Sequence, residues 1–256
     1  NVEGFLHAND CETIISQANY PASEIKTTLG VPDKYLFQYA IPILNKLSKK
    51  NKPFVATLLT ASDHGPYYIP DYFKPRSKEI KKQITEFADY SLRSFIQMAS
   101  KEKWFKNTIF VFVADHGAPM DNTYDISLDY NHVPLLFYAP EIIKEPKTFD
   151  CMAGQIDIFP TIMGLLKQPY ENNTLGIDLL QESRPYIFFN ADDKYGVINQ
   201  DWLLIAKNDG SKKLYKYQNK DTHDYAKEQE EVVEKMNKYA ESNLQASQYI
   251  ILNKKQ

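Results

Sequence analysis

The hydrophobic and polar positions in the first part of the chain predict two long helices. From Asp33, aromatic and aliphatic residues recur at helical spacing up to a basic run at 48–52, where cations suit a helix C-terminus. Over 77–102, apolar residues occupy one broad face, which predicts an amphipathic helix. Residues 1–32 show little periodicity, so we expect a loop with short helical turns there.

Three apolar runs, at 53–60, 107–114 and 133–138, predict buried strands. The second run is apolar on both faces, which is typical of an inner strand in a parallel sheet covered by helices. Asp157 is expected to cap a further helix that has Pro160 in its first turn. This alternation indicates an α/β fold: a doubly wound sheet with helices on both faces.

The pattern changes near residue 183. Four short apolar and aromatic segments follow, joined by turns rich in Asn, Asp and Gly such as 208–210, and this predicts an antiparallel meander. A final helix over 223–243 is expected to cover it. We therefore expect two domains, an α/β domain over 1–183 and a small antiparallel α+β unit over 184–256.

Composition excludes several classes of protein. The 256 residues are 43% hydrophobic and 25% charged, as in folded globular proteins rather than disordered ones. With 30 basic and 33 acidic residues, the chain gives no reason to expect nucleic acid or an anionic membrane surface as partner. The apolar runs fall far short of the roughly 20 residues that span a bilayer, and the first ten residues do not resemble a signal peptide. Cys11 and Cys151 lack the spacing of a disulfide framework or a zinc knuckle.

Glycine is scarce, with 9 residues, and no glycine-rich phosphate loop is present. Two of these glycines nevertheless end the same tripeptide, Asp63-His64-Gly65 and Asp115-His116-Gly117. Chance alone would give two such matches on the order of once in 10⁴ sequences of this composition. The repeated tripeptide is therefore the strongest candidate for chemistry in the chain.

Each tripeptide follows a predicted strand, and open parallel sheets bind ligands at the carboxyl ends of their strands. Adjacent Asp and His can supply a carboxylate oxygen and an imidazole nitrogen to one divalent ion, and the following Gly permits the sharp turn. This mixed set suits Zn²⁺ or Mn²⁺ better than Ca²⁺. Two ligands are too few, so at least one more must come from elsewhere.

Simpler interpretations remain open for each histidine. An Asp-His-Gly can be a plain turn, although the preceding buried strand and the second copy favour metal binding at Asp115 and His116. His64 can be a loop residue held by hydrogen bonds, and His132 can be a core or rim histidine before its strand. The charged residues at 227–238 predict a solvated helix face. The aromatic residues of the meander are expected to pack in its core rather than to form a binding surface for a sugar.

The residues 109–117, 131–140 and 155–166 together resemble the sulfatase-type branch of the alkaline phosphatase superfamily. Within that branch, phosphoglycerol transferases and lipoteichoic acid synthase-like proteins are the most similar group. Residues 59–67 resemble the family's His-x-Pro loop, and 201–215 are similar to its C-terminal meander. The resemblance thus covers nearly the whole chain, in five ordered blocks.

The resemblance implies roles for four residues. Asp115 and His116 would be ligands of one divalent metal ion, Mn²⁺ or Zn²⁺, with Ca²⁺ or Mg²⁺ expected in a true sulfatase. His64 would bind an oxygen of the transferred phosphoryl or sulfuryl group. His132 stands where many sulfatases have an Arg before Val-Pro, which implies that it faces the substrate.

The resemblance also implies a phosphodiester or sulfate-ester substrate, such as a glycerophospholipid or glycan, and a site on the extracytoplasmic face of the cytoplasmic membrane or in the periplasm. The family nucleophile and an acidic ligand lie upstream of these blocks, and neither Cys151 nor Cys11, Thr57 or Thr60 fits that role. We therefore expect no catalytic nucleophile here and a missing N-terminal half as partner.

The expected function is that of an inactive fragment of a metal-dependent phosphoester or sulfoester transferase or hydrolase, most similar to phosphoglycerol transferases. The alternatives are a sulfatase, or a non-catalytic relative that binds an anion or glycan. The retained Asp115-His116 pair favours an enzyme, because a binding protein has no chemical need for it.

Overall fold

The computed structural model describes residues 2–253. By its internal contacts the chain divides into two compact units, Asn1–Thr108 and Ile109–Gln256. The division into domains at residue 183, expected from the sequence, stays a prediction. No helix within the described residues is long and apolar enough to cross a membrane.

The first unit is built on two helices that pack against each other. Its elements are α1 (Val2–Ala8), α2 (Asp33–Ser48), α3 (Ile80–Ala99) and three short 3-10 turns, at Gln17–Asn19, Ala22–Glu24 and Phe105–Asn107. The rings of Phe37 on α2 and Phe95 on α3 stack with centroids 4.8 Å apart, and Ile84 and Phe87 are fully buried. The helical periodicity therefore predicted both long helices correctly.

The strand expected over 53–60 is absent from the first unit, and the segment has no regular secondary structure. Its side chains are not buried either, since Val55 is 94% and Leu59 77% exposed. An apolar run becomes a strand only when a neighbouring strand satisfies its backbone hydrogen bonds. No strand of the described first unit provides that pairing, so the expectation was wrong for this segment.

The second unit begins with a two-stranded antiparallel sheet of β1 (Phe110–Val113) and β2 (Leu135–Tyr138). In its register Phe110 lies opposite Tyr138 and Val113 opposite Leu135. The pairing corrects the expectation of an inner parallel strand, because within residues 2–253 β1 pairs only with β2. The expectation that these two strands are buried was also wrong, since Val113 is 43% and Leu136 58% exposed. A continuous apolar run therefore predicted the strands, but neither their burial nor the direction of their partner.

Between and after these strands lie the short helix α4 (Leu128–Asn131) and the helix α5 (Ile158–Leu166), which the 3-10 turn Gln155–Asp157 precedes. Asp157 does stand at the start of α5 as expected, but its carboxylate does not cap the first turn. It accepts hydrogen bonds from the backbone N–H groups of Gly154 and Ile177 at 2.8 and 2.9 Å, and from the guanidinium of Arg184. This buried network fixes the turn before α5.

The antiparallel meander predicted for the C-terminal part is confirmed. Its strands β3 (Ile187–Ala191), β4 (Lys194–Ile198), β5 (Leu203–Lys207) and β6 (Lys212–Tyr215) pair in chain order. The helix α6 (Glu230–Leu252) packs on β4 and β5. Its residues Met236 and Ala240 are fully buried with Val197, Leu204 and Leu214.

The last helix begins later than expected. Asp221 and Asp224 bind backbone N–H groups two residues ahead, at His223 and Ala226, and such Asx turns compete with a helix. The helix therefore starts at Glu230 rather than at His223.

Candidate metal site

The second Asp-His-Gly tripeptide lies directly beyond β1, where the chain leaves the sheet. The chain bends at Asp115, and the backbone N–H of His116 donates to the side-chain Oδ1 of this neighbour at 2.9 Å. The bend presents both side chains on the surface, with 79% of the Asp115 side chain and 45% of the His116 side chain exposed. Asp115 Oδ2 and His116 Nε2 are 3.9 Å apart.

The imidazole of His116 is held in one orientation by two contacts. Its Nδ1 lies 2.7 Å from the carbonyl oxygen of Gly117, and its ring stacks on Tyr130 at 4.5 Å with planes 18° apart. A carbonyl oxygen can only accept, so Nδ1 carries the hydrogen, and in the neutral ring Nε2 has the free lone pair. Histidines that bind metals are oriented in this way by a bond from their other nitrogen.

Gly117 is required by a close approach of the backbone. Its N–H donates to the carbonyl of Tyr130 at 2.8 Å, and a Cβ at position 117 would lie 2.0 Å from the carbonyl oxygen of Asp129. Gly65 of the first tripeptide has no such neighbour, since nothing lies within 4 Å of its Cβ position. Of these two positions, 117 therefore requires glycine, because a side chain there would clash with the backbone. Position 65 has room for a side chain.

Gln155 also contacts the candidate site, although sequence reasoning did not select it. Its side-chain Nε2 donates to the carbonyl oxygens of Ala114 and Asp115, at 2.8 and 3.0 Å. This contact could not be predicted from local pattern, because it joins residues 40 and 41 positions apart.

His132 lies at the same end of the two-stranded sheet as the tripeptide. The antiparallel register places Leu135 opposite Val113, so the chain enters β2 beside the point where it leaves β1. The backbone N–H of His132 closes α4 on the carbonyl of Leu128 at 2.8 Å, and the residue is exposed. His132 is thus a rim residue rather than a core residue.

His64 belongs to the first unit and repeats the arrangement of His116. Its Nδ1 lies 2.7 Å from the carbonyl oxygen of Gly65, and its backbone N–H donates to Ala61 at 3.2 Å. By the same reasoning its Nδ1 carries a hydrogen and Nε2 is directed away from the turn's own carbonyl. The residue is exposed.

The loop that carries His64 is tied to the start of α2 by Asp33. Asp33 Oδ1 accepts from the backbone N–H groups of Ala61 and Ser62, both at 2.9 Å, and Ser62 Oγ accepts from the Asp33 N–H at 2.9 Å. Asp33 is only 3% exposed. Its carboxylate thus holds a loop 28 and 29 residues away along the chain.

Asp63, next to His64, is influenced by the same carboxylate. The pKa of Asp63 is raised, mainly because its carboxyl group is partly removed from water and secondly because the Asp33 carboxylate repels its negative charge. The residue as a whole is nevertheless exposed.

The donor set fits part of a metal site. Two metal–ligand bonds of about 2.0–2.2 Å at a tetrahedral angle place their donor atoms about 3.4 Å apart, so Asp115 Oδ2 and His116 Nε2, at 3.9 Å, would approach each other by about 0.5 Å on binding. Within residues 2–253 no three His, Cys, Asp or Glu side chains are grouped so as to hold an ion. The two donors are consistent with the expectation that further ligands come from elsewhere.

Known proteins place the chain in context. It is similar to the lipoteichoic acid synthase-like YvgJ of Bacillus subtilis strain 168, with 26% identity over 183 residues, covering 62% of this chain and 29% of the relative. It is also similar to arylsulfatase K of Gallus gallus, with 29% identity over 147 residues, covering 51% and 26%. The chain thus spans less than a third of the length of these relatives.

Two solved structures share its fold. A protein in the alkaline phosphatase superfamily from Vibrio parahaemolyticus matches with a TM-score of 0.78 and 25% identity, covering 86% of this chain and 56% of that one. The lipoteichoic acid synthase LtaP from Listeria monocytogenes matches with a TM-score of 0.69 and 18% identity, covering 97% and 66%. These matches confirm the α/β fold class and the resemblance to the alkaline phosphatase superfamily.

The family model described as Sulfatase matches residues 3–168, which include both Asp-His-Gly tripeptides, His132 and the turn that carries Gln155. With more than half of its length matched in this way, the chain belongs to the Sulfatase family.

Proposed function

We propose that this chain is part of a metal-dependent phosphoester or sulfoester transferase or hydrolase, and that Asp115 and His116 are ligands of its divalent metal ion. The observation that carries the proposal is the orientation of His116. Its Nδ1 hydrogen is bound to the Gly117 carbonyl, so Nε2 keeps a free lone pair, and this atom lies 3.9 Å from Asp115 Oδ2.

The metal ion, when bound, would polarise the oxygens of the ester and favour ionisation of an attacking hydroxyl. The chain's own residues would orient that ion and balance charge. Asp115 contributes a negative ligand, and the stacked Tyr130 ring keeps the His116 imidazole from rotating. Mn²⁺ and Zn²⁺ suit this mixed oxygen and nitrogen set, whereas Ca²⁺ or Mg²⁺ would suit a true sulfatase.

His64 is proposed, from the family resemblance, to bind a non-bridging oxygen of the transferred group. Its Nδ1 is already occupied by the Gly65 carbonyl, so a hydrogen bond from Nε2 to an anionic oxygen requires the doubly protonated ring. Such a ring adds positive charge where negative charge develops during the reaction. His132, on the rim at the end of the two-stranded sheet, is proposed to face the substrate.

More specifically, we propose a phosphoglycerol transferase-like activity on a glycerophosphate or glycan substrate at the extracytoplasmic face of the membrane. The similarity to proteins named as lipoteichoic acid synthases supports it. A sulfatase activity is the alternative, supported by the similarity to arylsulfatase K. No residue of the chain is proposed as the nucleophile, which would be supplied by a segment outside these 256 residues.

Metal titration tests the ligand assignment directly. Isothermal titration of the 256-residue chain with Mn²⁺ and Zn²⁺ should show weak binding that Asp115→Ala and His116→Ala each reduce at least about tenfold. His7→Ala is the matched control, because His7 Nε2 also lies 3.9 Å from a carboxylate oxygen, that of Glu3, but in an exposed pair outside the candidate site. This variant should bind as the wild type does. Tight binding that Asp115→Ala leaves unchanged would refute the assignment.

A turnover assay tests the missing nucleophile. The isolated chain should cleave a chromogenic phosphodiester and a chromogenic sulfate ester slowly or not at all in the presence of Mn²⁺. Rapid metal-dependent cleavage of either ester would show that the chain contains its own nucleophile, and the preferred ester would distinguish the two activities.

A further inference from the structure

One side-chain amide reaches the backbone of the candidate metal ligands from a distant part of the chain. Gln155 is the first residue of the 3-10 turn before α5, and its Nε2 donates to the carbonyl oxygens of both Ala114 and Asp115. An amide nitrogen carries two hydrogens, so both bonds can form at once. The contacts are 2.8 and 3.0 Å long.

The two carbonyls lie beyond the end of the two-stranded sheet. The ladder between β1 and β2 ends at the pair Val113 and Leu135, so the next two carbonyls of the chain are beyond its last pair. The Asp115 carbonyl belongs to the peptide group that joins Asp115 to His116. Holding this oxygen therefore fixes how the two candidate ligands are oriented relative to each other.

The turn that carries Gln155 is itself firmly held. The N–H of Gly154, the residue before Gln155, donates to the fully buried carboxylate of Asp157 at 2.8 Å, and the Asp157 N–H donates back to the Gly154 carbonyl at 2.9 Å. Arg184 binds the same carboxylate from the segment before β3. The Gln155 amide thus extends from a rigid base, although its side chain is at the surface.

We infer that Gln155 is a positioning residue for the metal ligands Asp115 and His116, acting through their backbone rather than touching the metal or substrate. The inference rests on the proposed function, because the two residues that Gln155 positions are the proposed metal ligands. The contact itself is independent of that function, and so is one part of the test.

Gln155→Met keeps the length of the side chain and removes both hydrogen bonds. In the full 256-residue chain it should weaken Mn²⁺ binding about three- to tenfold, the value of one ordinary hydrogen bond. Gln168→Met is the matched control: Gln168 is also exposed, but its amide contacts only Leu166 in its own turn.

Hydrogen exchange separates positioning from a general structural role. Gln155→Met should speed exchange of the His116 and Gly117 amides, which donate to Asp115 and Tyr130, while the urea midpoint of unfolding stays unchanged. Unchanged exchange at these amides together with unchanged Mn²⁺ affinity would overturn the inference.

The two proposals can fail separately. If wild type and Asp115→Ala both fail to bind Mn²⁺, the proposed function is wrong, and the exchange rates alone decide whether Gln155 holds the turn. If Asp115→Ala abolishes Mn²⁺ binding while Gln155→Met changes neither affinity nor exchange, the function stands and the role of Gln155 is refuted.

Discussion

The guanidinium of Arg184 and the carboxylate of Asp157 form a buried ion pair that joins the segment before β3 to the turn before α5. Asp157 is fully buried, and the Arg184 side chain is 5% exposed. Arg184 also donates to the Leu175 carbonyl at 3.2 Å. Because Gln155 belongs to the turn that Asp157 holds, the pair indirectly supports the proposed metal ligands.

Removing one partner of this pair should destabilise the protein strongly. Asp157→Ala leaves the Arg184 charge buried without compensation, which typically costs about 3–5 kcal/mol of the free energy of unfolding. Urea unfolding followed by circular dichroism measures the loss. Glu141→Ala breaks an exposed pair with Lys144 and should cost less than about 1 kcal/mol. Equal losses for the two variants would show that burial does not strengthen the Arg184–Asp157 pair.

The two tripeptide glycines should respond differently to the same substitution. Gly117→Ala places a Cβ against the Asp129 carbonyl oxygen, so the turn must move, at a cost of about 1–3 kcal/mol and with loss of Mn²⁺ binding. Gly65→Ala meets open space and should change stability little. Thermal unfolding and Mn²⁺ titration of both variants give the comparison. A Gly117→Ala protein as stable and as competent as Gly65→Ala would contradict the role of the close approach.

The ring of Tyr130 should contribute to metal affinity although it is not a ligand. It stacks on His116, and an aromatic pair of this kind contributes about 0.5–1.5 kcal/mol. Tyr130→Ala should therefore weaken Mn²⁺ binding by about two- to twelvefold, whereas Tyr130→Phe should retain it. If Phe and Ala weaken binding equally, the tyrosine hydroxyl rather than the stacked ring would be responsible.

The stability of the second unit should decrease in acid because of Asp121. The hydrogen bond from Lys220, followed by those from Thr123, lowers the pKa of Asp121 from 3.8 to about 2. The unfolded chain then binds more protons than the folded one between about pH 4 and pH 2, so this contribution is complete above pH 4 and is lost as pH falls through 2. Asp121→Asn should flatten the pH dependence of unfolding in that window.

NMR titration of the Asp121 carboxyl provides a second measurement. Lys220→Gln should raise the pKa of Asp121 towards its ordinary value, because it removes the largest cause of the shift. A midpoint near 4 in the wild type would contradict the prediction. The pKa of Asp63 is shifted in the opposite direction. Because it is raised, ionisation of Asp63 lowers the free energy of unfolding as pH rises through that pKa.

Local periodicity predicted most of the secondary structure. The helices α2, α3 and α5 and the four strands of the meander follow from apolar spacing and turn residues, which act over a few neighbouring positions. The segment at 53–60 has the same local pattern but no strand partner in the part of the chain that the structure describes. The direction of pairing of β1 depends on β2, more than 20 residues further on. Sequence periodicity carries no information on either property.

The candidate ligands and His64 could be selected from the sequence, but the residues that hold their loops could not. Asp115 and His116 stand out because the tripeptide is repeated after a predicted strand. Asp33, Gln155 and Arg184 act through bonds to residues 27 to 41 positions away, and nothing in their neighbours distinguishes them from an ordinary cap or surface polar residue.

The antiparallel register of β1 and β2 brings the two ends of the segment between these strands together. Val113 and Leu135 are paired, so the connecting segment leaves the sheet and returns to it at the same point. The entropic cost of closing such a loop rises slowly with its length, by about 0.6 kcal/mol for each doubling. Lengthening or shortening the exposed stretch at 118–120 should therefore cost little stability, while the ligand pair stays anchored to the strand end.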